Sequence, residues 1–429
     1  MTAILPFTRP AAGDRKDRRA DIGTVSSHQP PTGPGTSVAG PVAPWVESFA
    51  CHRRSPQDVY WLKENAELLS LLRVMQQRVG EGVGAGDFRD EADLSPLRPF
   101  YERAARQLRF FPQYYRFILS ICLDYEDLIG TGRIGPDTRA AELAHWVAHQ
   151  GLVEAEMSDL QRAEARQLLA RRGIAVPVDP GLDDRLRRFA RRCQTFAIPN
   201  RKAAYELTHI VFYLSDYGRR DLGLDGAVQR SLTYAGILAC LDQDLDLLSE
   251  ICIALRYCGV TPPPLWEQAL ARASEGFVIT PDGFHGDMDG YHAYFVTQWW
   301  HVLSATPAAR NGQSGVAEPM TELAALPEGA GGALHIAMPA STSLLRPLSA
   351  WLLDVGGLSR MTARQLWRSA VDDIAAQYGA PTAQQLLDLQ HSSPMFHSFW
   401  QIFSRSDDCG ARLRVIGSDG LSLPPRSTF

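Results

Sequence analysis

The chain has 429 residues, of which 45% are hydrophobic and 21% charged, and its formal net charge is -5. That length suits one large domain or two of ordinary size, with a sizeable core. The mildly acidic balance excludes the basic surplus of a nucleic-acid-binding face, and charges break every apolar run well before the roughly 18 residues of a membrane span.

Residues 1–44 are rich in Pro, Gly, Ser and Thr, and HQPPTGPGTSVAGPVAP holds too little apolar surface to order itself, so the segment reads as a disordered tail. MTAILPF is too short an apolar stretch for a secretory leader, and a charge cluster follows it closely. A cytoplasmic protein is expected. The seven cysteines show no C-x-x-C spacing, so they read as free thiols in a reducing compartment rather than as a zinc site.

Helical periodicity starts after Ser55 in SPQDVYWLKENAELLSLLRVMQQRV. A long apolar helix with a break at Pro112 follows, then DTRAAELAHWVAHQGLVEAEM, SDLQRAEARQLLARRG and VPVDPGLDDRLRRFARRC. Ser158 is placed as an N-cap, and Gly173 ends its helix. Residues 306–332 are small and polar and read as a linker or long loop. Beyond it, residues 333–429 carry further helices that should pack on the main unit, with RLRVIGSDGLSL as a weak hairpin. Alternating strand patterns are otherwise missing. The expected fold is all-α, an α/α toroid or curved helical array over 45–305 with additional C-terminal helices.

The candidate chemistry lies on the helices between 201 and 305. Read as one helix, ILACLDQDLDLLSEICIALRYC puts Asp242, Asp246 and Glu250 four apart on one stripe, with apolar residues over most of the rest. Like charges at that spacing repel. Withdrawn from water, they would raise one another's pKa or call for a cation. The plainer reading is a solvated helix edge. Asp244 points into the apolar side. In KAAYELTHIVFYLSDYG, His209 and Asp216 share an aromatic face that should not meet solvent. His209 could be a base or ligand oriented by Asp216, or a satisfied core histidine. His292 follows the acidic loop PDGFHGDMDG, which fails the EF-hand spacing, and shares a face with Val296, Trp299 and Leu303.

Weaker signals are His145 and His149 at chelating spacing, and the acidic stretches CLDYEDL and SRSDDCG, which faintly suggest a terpene cyclase. No P-loop, dinucleotide fingerprint or nucleophile elbow is present.

The motifs T-H-x-x-F-Y-L-S-D-Y-G (Thr208 to Gly218), D-L-D-L-L-S-E (Asp244 to Glu250), Tyr291-His292 and G-L-V-E-A-E-M (Gly151 to Met157) resemble an uncharacterised bacterial family over residues 150–305. The resemblance implies that these motifs belong together and transfers no activity.

The expected function is an enzyme of bacterial specialised metabolism, acting on a small molecule or peptide by acid/base or metal-assisted chemistry. His209, Asp216, Asp246, Glu250 and His292 should face one cavity. Of these, His209, Asp246, Glu250 and His292 could hold a divalent metal ion, with no metal firmly implied. The alternatives are a non-catalytic helical scaffold for a peptide or protein partner, and a terpene-cyclase-like enzyme.

Overall fold

The computed structural model describes residues 42–80, 94–130, 139–176, 179–223, 225–280, 289–304, 332–354 and 361–405. These form seventeen α-helices. The first six are α1 Val42–Glu47, α2 Val59–Gly80, α3 Arg98–Gln107, α4 Tyr115–Ile129, α5 Ala140–His149 and α6 Asp159–Ala170. Next come α7 Leu182–Ala190, α8 Cys193–Phe196, α9 Arg201–Leu214, α10 Gly226–Asp242, α11 Leu245–Tyr257, α12 Pro264–Glu275 and α13 Tyr291–Ser304. The last four are α14 Leu345–Asp354, α15 Ala363–Tyr378, α16 Ala380–Ser392 and α17 Phe396–Phe403. Two three-residue strands, β1 Val278–Thr280 and β2 His335–Ala337, pair antiparallel. The fold is all-α, as the missing strand periodicity implied.

Local signals explain where the helices begin. Asn200, Asp225 and Asp244 each turn a side-chain oxygen back onto the first free N–H groups of α9, α10 and α11. Thr362 and Gln365 form a reciprocal capping box at the start of α15. Asp244 is therefore a cap, which accounts for its place beside apolar residues. One expectation is corrected here. The stretch 237–258 is two helices, because Gln243 adopts a left-handed conformation, φ 54°, between α10 and α11. Asp242 thus sits on α10, where its Oδ1 accepts a bond from Ser343, and it leaves the acidic stripe. Gly236 lies inside α10 because a Cβ there would run into the Trp266 ring.

The buried side chains make one connected hydrophobic core running from Val42 to Phe403. Within it, six helices form a closed cycle of neighbours: α2 packs on α4, α4 on α6, α6 on α9, α9 on α11, α11 on α13, and α13 back on α2. A polar bridge crosses each joint. Asp124 meets Ser70 and Arg73 between α4 and α2, and Arg116 meets Glu164 between α4 and α6. Gln167 of α6 donates to Asp216, just past the end of α9. Tyr205 and Thr208 tie α9 to α11, Ser249 and Thr297 pair between α11 and α13, and His292 binds Glu67 between α13 and α2. Burying such groups is costly unless they are paired, so these pairs specify which helix meets which.

The C-terminal helices pack on this body. α14 and α17 lie against α10, and α16 against α12. The Tyr234 and Phe399 rings meet at 5.9 Å between α10 and α17. The expected tail apart from Val42–Pro44, the linker apart from Gly332, the hairpin and most of the PDGFHGDMDG and SRSDDCG segments lie outside the described residues.

Candidate functional site

Asp246 and Glu250 stand one turn apart on α11, and His292 is the second residue of α13, the helix packed beside it. Ligand-type atoms of these three side chains all lie within 4.8 Å of one another. Neighbouring elements brace all three. The Tyr205 hydroxyl donates to Asp246 Oδ2 at 2.6 Å, and the Thr208 hydroxyl donates to Glu250 Oε2 at 2.6 Å. His292 Nδ1 lies 2.8 Å from Glu67 Oε2, and its Nε2 lies 3.2 Å from Asp246 Oδ2. Lys63, one turn before Glu67 on α2, approaches it at 3.9 Å from an exposed position. Asp246 Oδ1 is sealed from solvent and has no hydrogen-bond partner among the described residues.

The side chain of His292 is 31% exposed and that of Asp246 16%, whereas Glu250 behind them is 1% exposed. The cluster thus reaches the surface through the imidazole. Burial works against the charged ring of His292. The Asp246 and Glu67 carboxylates outweigh it and hold the imidazolium well above its usual pKa. Burial also pushes the Asp246 carboxyl up, but His292 and the Tyr205 hydroxyl more than offset this and keep it below the usual carboxylate range. Glu250 goes the other way. Burial and then the neighbouring Asp246 charge push it up to about 8. Two carboxyls one turn apart are driven in opposite directions.

His209 lies beside Glu250, Nδ1 to Oε2 3.7 Å, but its Nδ1 makes its short contact, 2.7 Å, with the Tyr205 carbonyl. That carbonyl, rather than Asp216, orients the ring and puts the proton on Nδ1. Phe212, tilted, and Tyr213, edge-on, pack against His209, and Trp299 packs on Phe212 and donates its indole N–H to Tyr257 at 3.1 Å. These rings wall the cluster from behind.

Of the five candidates, Asp246, Glu250, His292 and His209 come together. Asp216 does not join them. Past the end of α9 the chain takes three consecutive left-handed residues, Asp216, Tyr217 and Gly218. The turn hands the Asp216 carboxylate to Gln167 at 2.9 Å and Arg219 at 3.7 Å. His145 and His149 both face solvent. The CLDYEDL carboxylates serve ion pairs instead. Asp124 meets Arg73 and Arg171, Glu126 meets Arg172, and Asp127 meets Arg171 and Arg172. A separate cleft of about 390 Å³ is lined by Leu245, Leu248, Arg272, Ser341 and Gln385 and by none of the five candidates.

Glu67, Tyr205 and Thr208 were not singled out from the sequence as site residues. Glu67 lies 225 positions from His292. The only local sign was its setting, AELLSLL, which leaves a carboxylate almost no solvated face.

The model of the family described as a domain of unknown function, DUF6902, matches residues 35–406, and the chain belongs to that family. The match reaches well beyond the span 150–305 that carries the sequence motifs. No curated protein and no solved structure matches the chain.

Proposed function

We propose that this DUF6902 chain is an enzyme acting on a small molecule or peptide, with Asp246, Glu250 and His292 as its catalytic centre. The observation that carries the reading is their convergence at a point the solvent can still reach. Around it Tyr205, Thr208 and Glu67 supply hydrogen-bond partners. A structural ion pair needs no such opening, and two carboxyls in opposed environments beside an imidazole suit acid/base or metal-assisted chemistry. His209, next to Glu250, is the second proton carrier. Asp216 supports the site indirectly by tying the end of α9 to α6.

The closed cycle of six helices supports a toroid-like arrangement around this centre. The unpaired cysteines among the described residues support a reducing, cytoplasmic setting, here in bacterial specialised metabolism. The test is incubation of the purified protein, and separately of its Glu250→Gln and His209→Gln variants, with a bacterial metabolite extract followed by mass spectrometry. Compounds consumed by the wild type and spared by both folded variants support the centre. Identical profiles for all three proteins defeat it.

A scaffold reading draws on one feature, the turn before α4, where Phe110 is 79% exposed and Phe111 47%. Partner capture lost in Phe110→Ser, with the metabolite profile unchanged by any variant, would favour it.

A further inference from the structure

We propose that Asp246, Glu250 and His292 bind one divalent transition-metal ion, with Glu67, Tyr205 and Thr208 as the outer partners that hold the ligands in place. The ion would serve the centre proposed above and rests on that reading for its purpose, though not for its binding.

Geometry comes first. Asp246 and Glu250 share one face of α11 because they are four residues apart, and α13 brings His292 against that face. Their ligand atoms lie within 4.8 Å of one another. Donors at ~2.0–2.2 Å from a common ion stand ~3–3.5 Å apart, so the His292–Asp246 pair at 3.2 Å already fits and the others draw in by at most about 1–2 Å, within reach of side-chain rotation.

The second observation is the state of the individual atoms. A bound histidine is normally fixed by a carboxylate on its other nitrogen. His292 has this arrangement, since Nδ1 bonds to Glu67 while Nε2 points at the carboxylates of α11. Asp246 is held through Oδ2 by Tyr205, and its other oxygen, Oδ1, is sealed from solvent without a partner. A buried carboxylate oxygen left in that state calls for a cation or a donor. Glu250 is likewise anchored through Oε2 by Thr208.

Charge points the same way. The carboxyls of Glu67, Asp246 and Glu250 gather around one imidazole, Lys63 stays exposed at 3.9 Å from Glu67, and Arg201 reaches the cluster only through the Tyr205 hydroxyl at 3.3 Å. A divalent ion would take the place of the protons that Glu250 and His292 otherwise hold there.

The donor set selects the ion. One imidazole with two carboxylates suits Mn²⁺, Fe²⁺ or Zn²⁺ better than Ca²⁺ or Mg²⁺, which favour all-oxygen shells. Three protein ligands also leave coordination positions open for water or substrate, the arrangement of catalytic rather than structural sites. The partly exposed edge of His292 is where that open side would lie.

The experiment uses untagged full-length protein, stripped with a chelator, dialysed, and titrated separately with Mn²⁺, Zn²⁺ and Ca²⁺ by calorimetry. One Mn²⁺ or Zn²⁺ should bind per chain at micromolar affinity or tighter, with Ca²⁺ at least about 10-fold weaker. Asp246→Asn and His292→Gln should each lower the affinity by about 100-fold or more, and Glu67→Gln by about 10–100-fold. His301→Gln, a change on the same helix away from the cluster, should leave it unaltered. Pulsed electron paramagnetic resonance of the Mn²⁺-loaded wild type should show one coordinated imidazole nitrogen, a readout that does not depend on any variant folding.

Binding no tighter than millimolar, an absent nitrogen coupling, or an equal loss in His301→Gln would overturn the site. Turnover that survives complete metal removal would overturn the ion's part in the chemistry and leave the enzyme reading standing. A one-ion site on a protein that converts nothing would do the reverse.

Discussion

Replacing Asp124 by Asn tests whether the polar bridges hold the cycle of helices together. The carboxylate is buried between α2 and α4, with Arg73 at 3.0 Å, Arg171 at 2.8 Å and the Ser70 hydroxyl at 3.2 Å. Removing its charge leaves Arg73 buried without this carboxylate, while Arg171 keeps Asp127 at 2.6 Å. Breaking a buried pair by deleting one partner costs about 3–5 kcal/mol, and the surviving Arg171–Asp127 contact argues for the lower end, ~3 kcal/mol. The control is Asp183→Asn, whose partner Arg166 lies at 2.6 Å but in a largely exposed pair, and which should cost less than about 1 kcal/mol.

The assay is urea unfolding at pH 7 followed by far-ultraviolet circular dichroism. A pH series adds a second arm. Burial pushes the Asp124 carboxyl up, but Arg73 and Arg171 outweigh it, and the group titrates below the usual carboxylate range. A depressed folded-state value gives stability that is present above the unfolded-state pKa and lost as pH falls through the folded one. The wild-type advantage over Asp124→Asn should therefore be complete by about pH 5 and shrink below about pH 4. If Asp124→Asn costs no more than Asp183→Asn, or the gap is the same at pH 3 as at pH 7, the bridge does not hold the helices.

Tyr205→Phe removes the hydroxyl that fixes Asp246 Oδ2 and should lower metal affinity by about 10-fold for roughly 1 kcal/mol of stability, read by calorimetry and melting. An unchanged metal affinity would show that Asp246 needs no such anchor. Gly218→Ala should destabilise by about 2 kcal/mol or more, because the backbone there has φ 84° and an added Cβ would meet the Tyr257 ring. Tryptophan fluorescence should shift with it, since Tyr257 bonds to Trp299, and a neutral Gly218→Ala would mean the turn can relax.

What the sequence revealed depended on range. The helices were legible because apolar spacing is a local signal, and so was the pairing of Asp246 with Glu250, four residues apart on one helix. The break at Gln243 was not. Leu241, Leu245 and Leu248 continue the apolar pattern straight across it, and glutamine is an uncommon choice for a left-handed residue. Asp216 was misjudged for a related reason. Counting it on the helical wheel assumed that α9 continues, whereas the left-handed run after Leu214 turns the carboxylate toward α6. Glu67 and Tyr205 reach the site across 225 and 41 positions respectively, and spacing on a single helix carries no such information.

The joint between α2 and α13 also has a consequence for how the chain is made. Its two halves, Glu67 and His292, are separated by 225 positions, so this seam closes only once the chain has been extended that far beyond Glu67. At about 5–20 residues per second, Glu67 must wait some ten to fifty seconds for its partner during synthesis. Through that interval α2 displays Glu67 on a face destined for burial, whereas Glu64 already has Arg53 and Arg54, and Arg73 gains Asp124 well before α13 is made. Nascent chains that stall before α13 should therefore keep the Glu67 face of α2 uncovered and open to proteases and chaperones, and limited proteolysis of ribosome-bound chains would find it there.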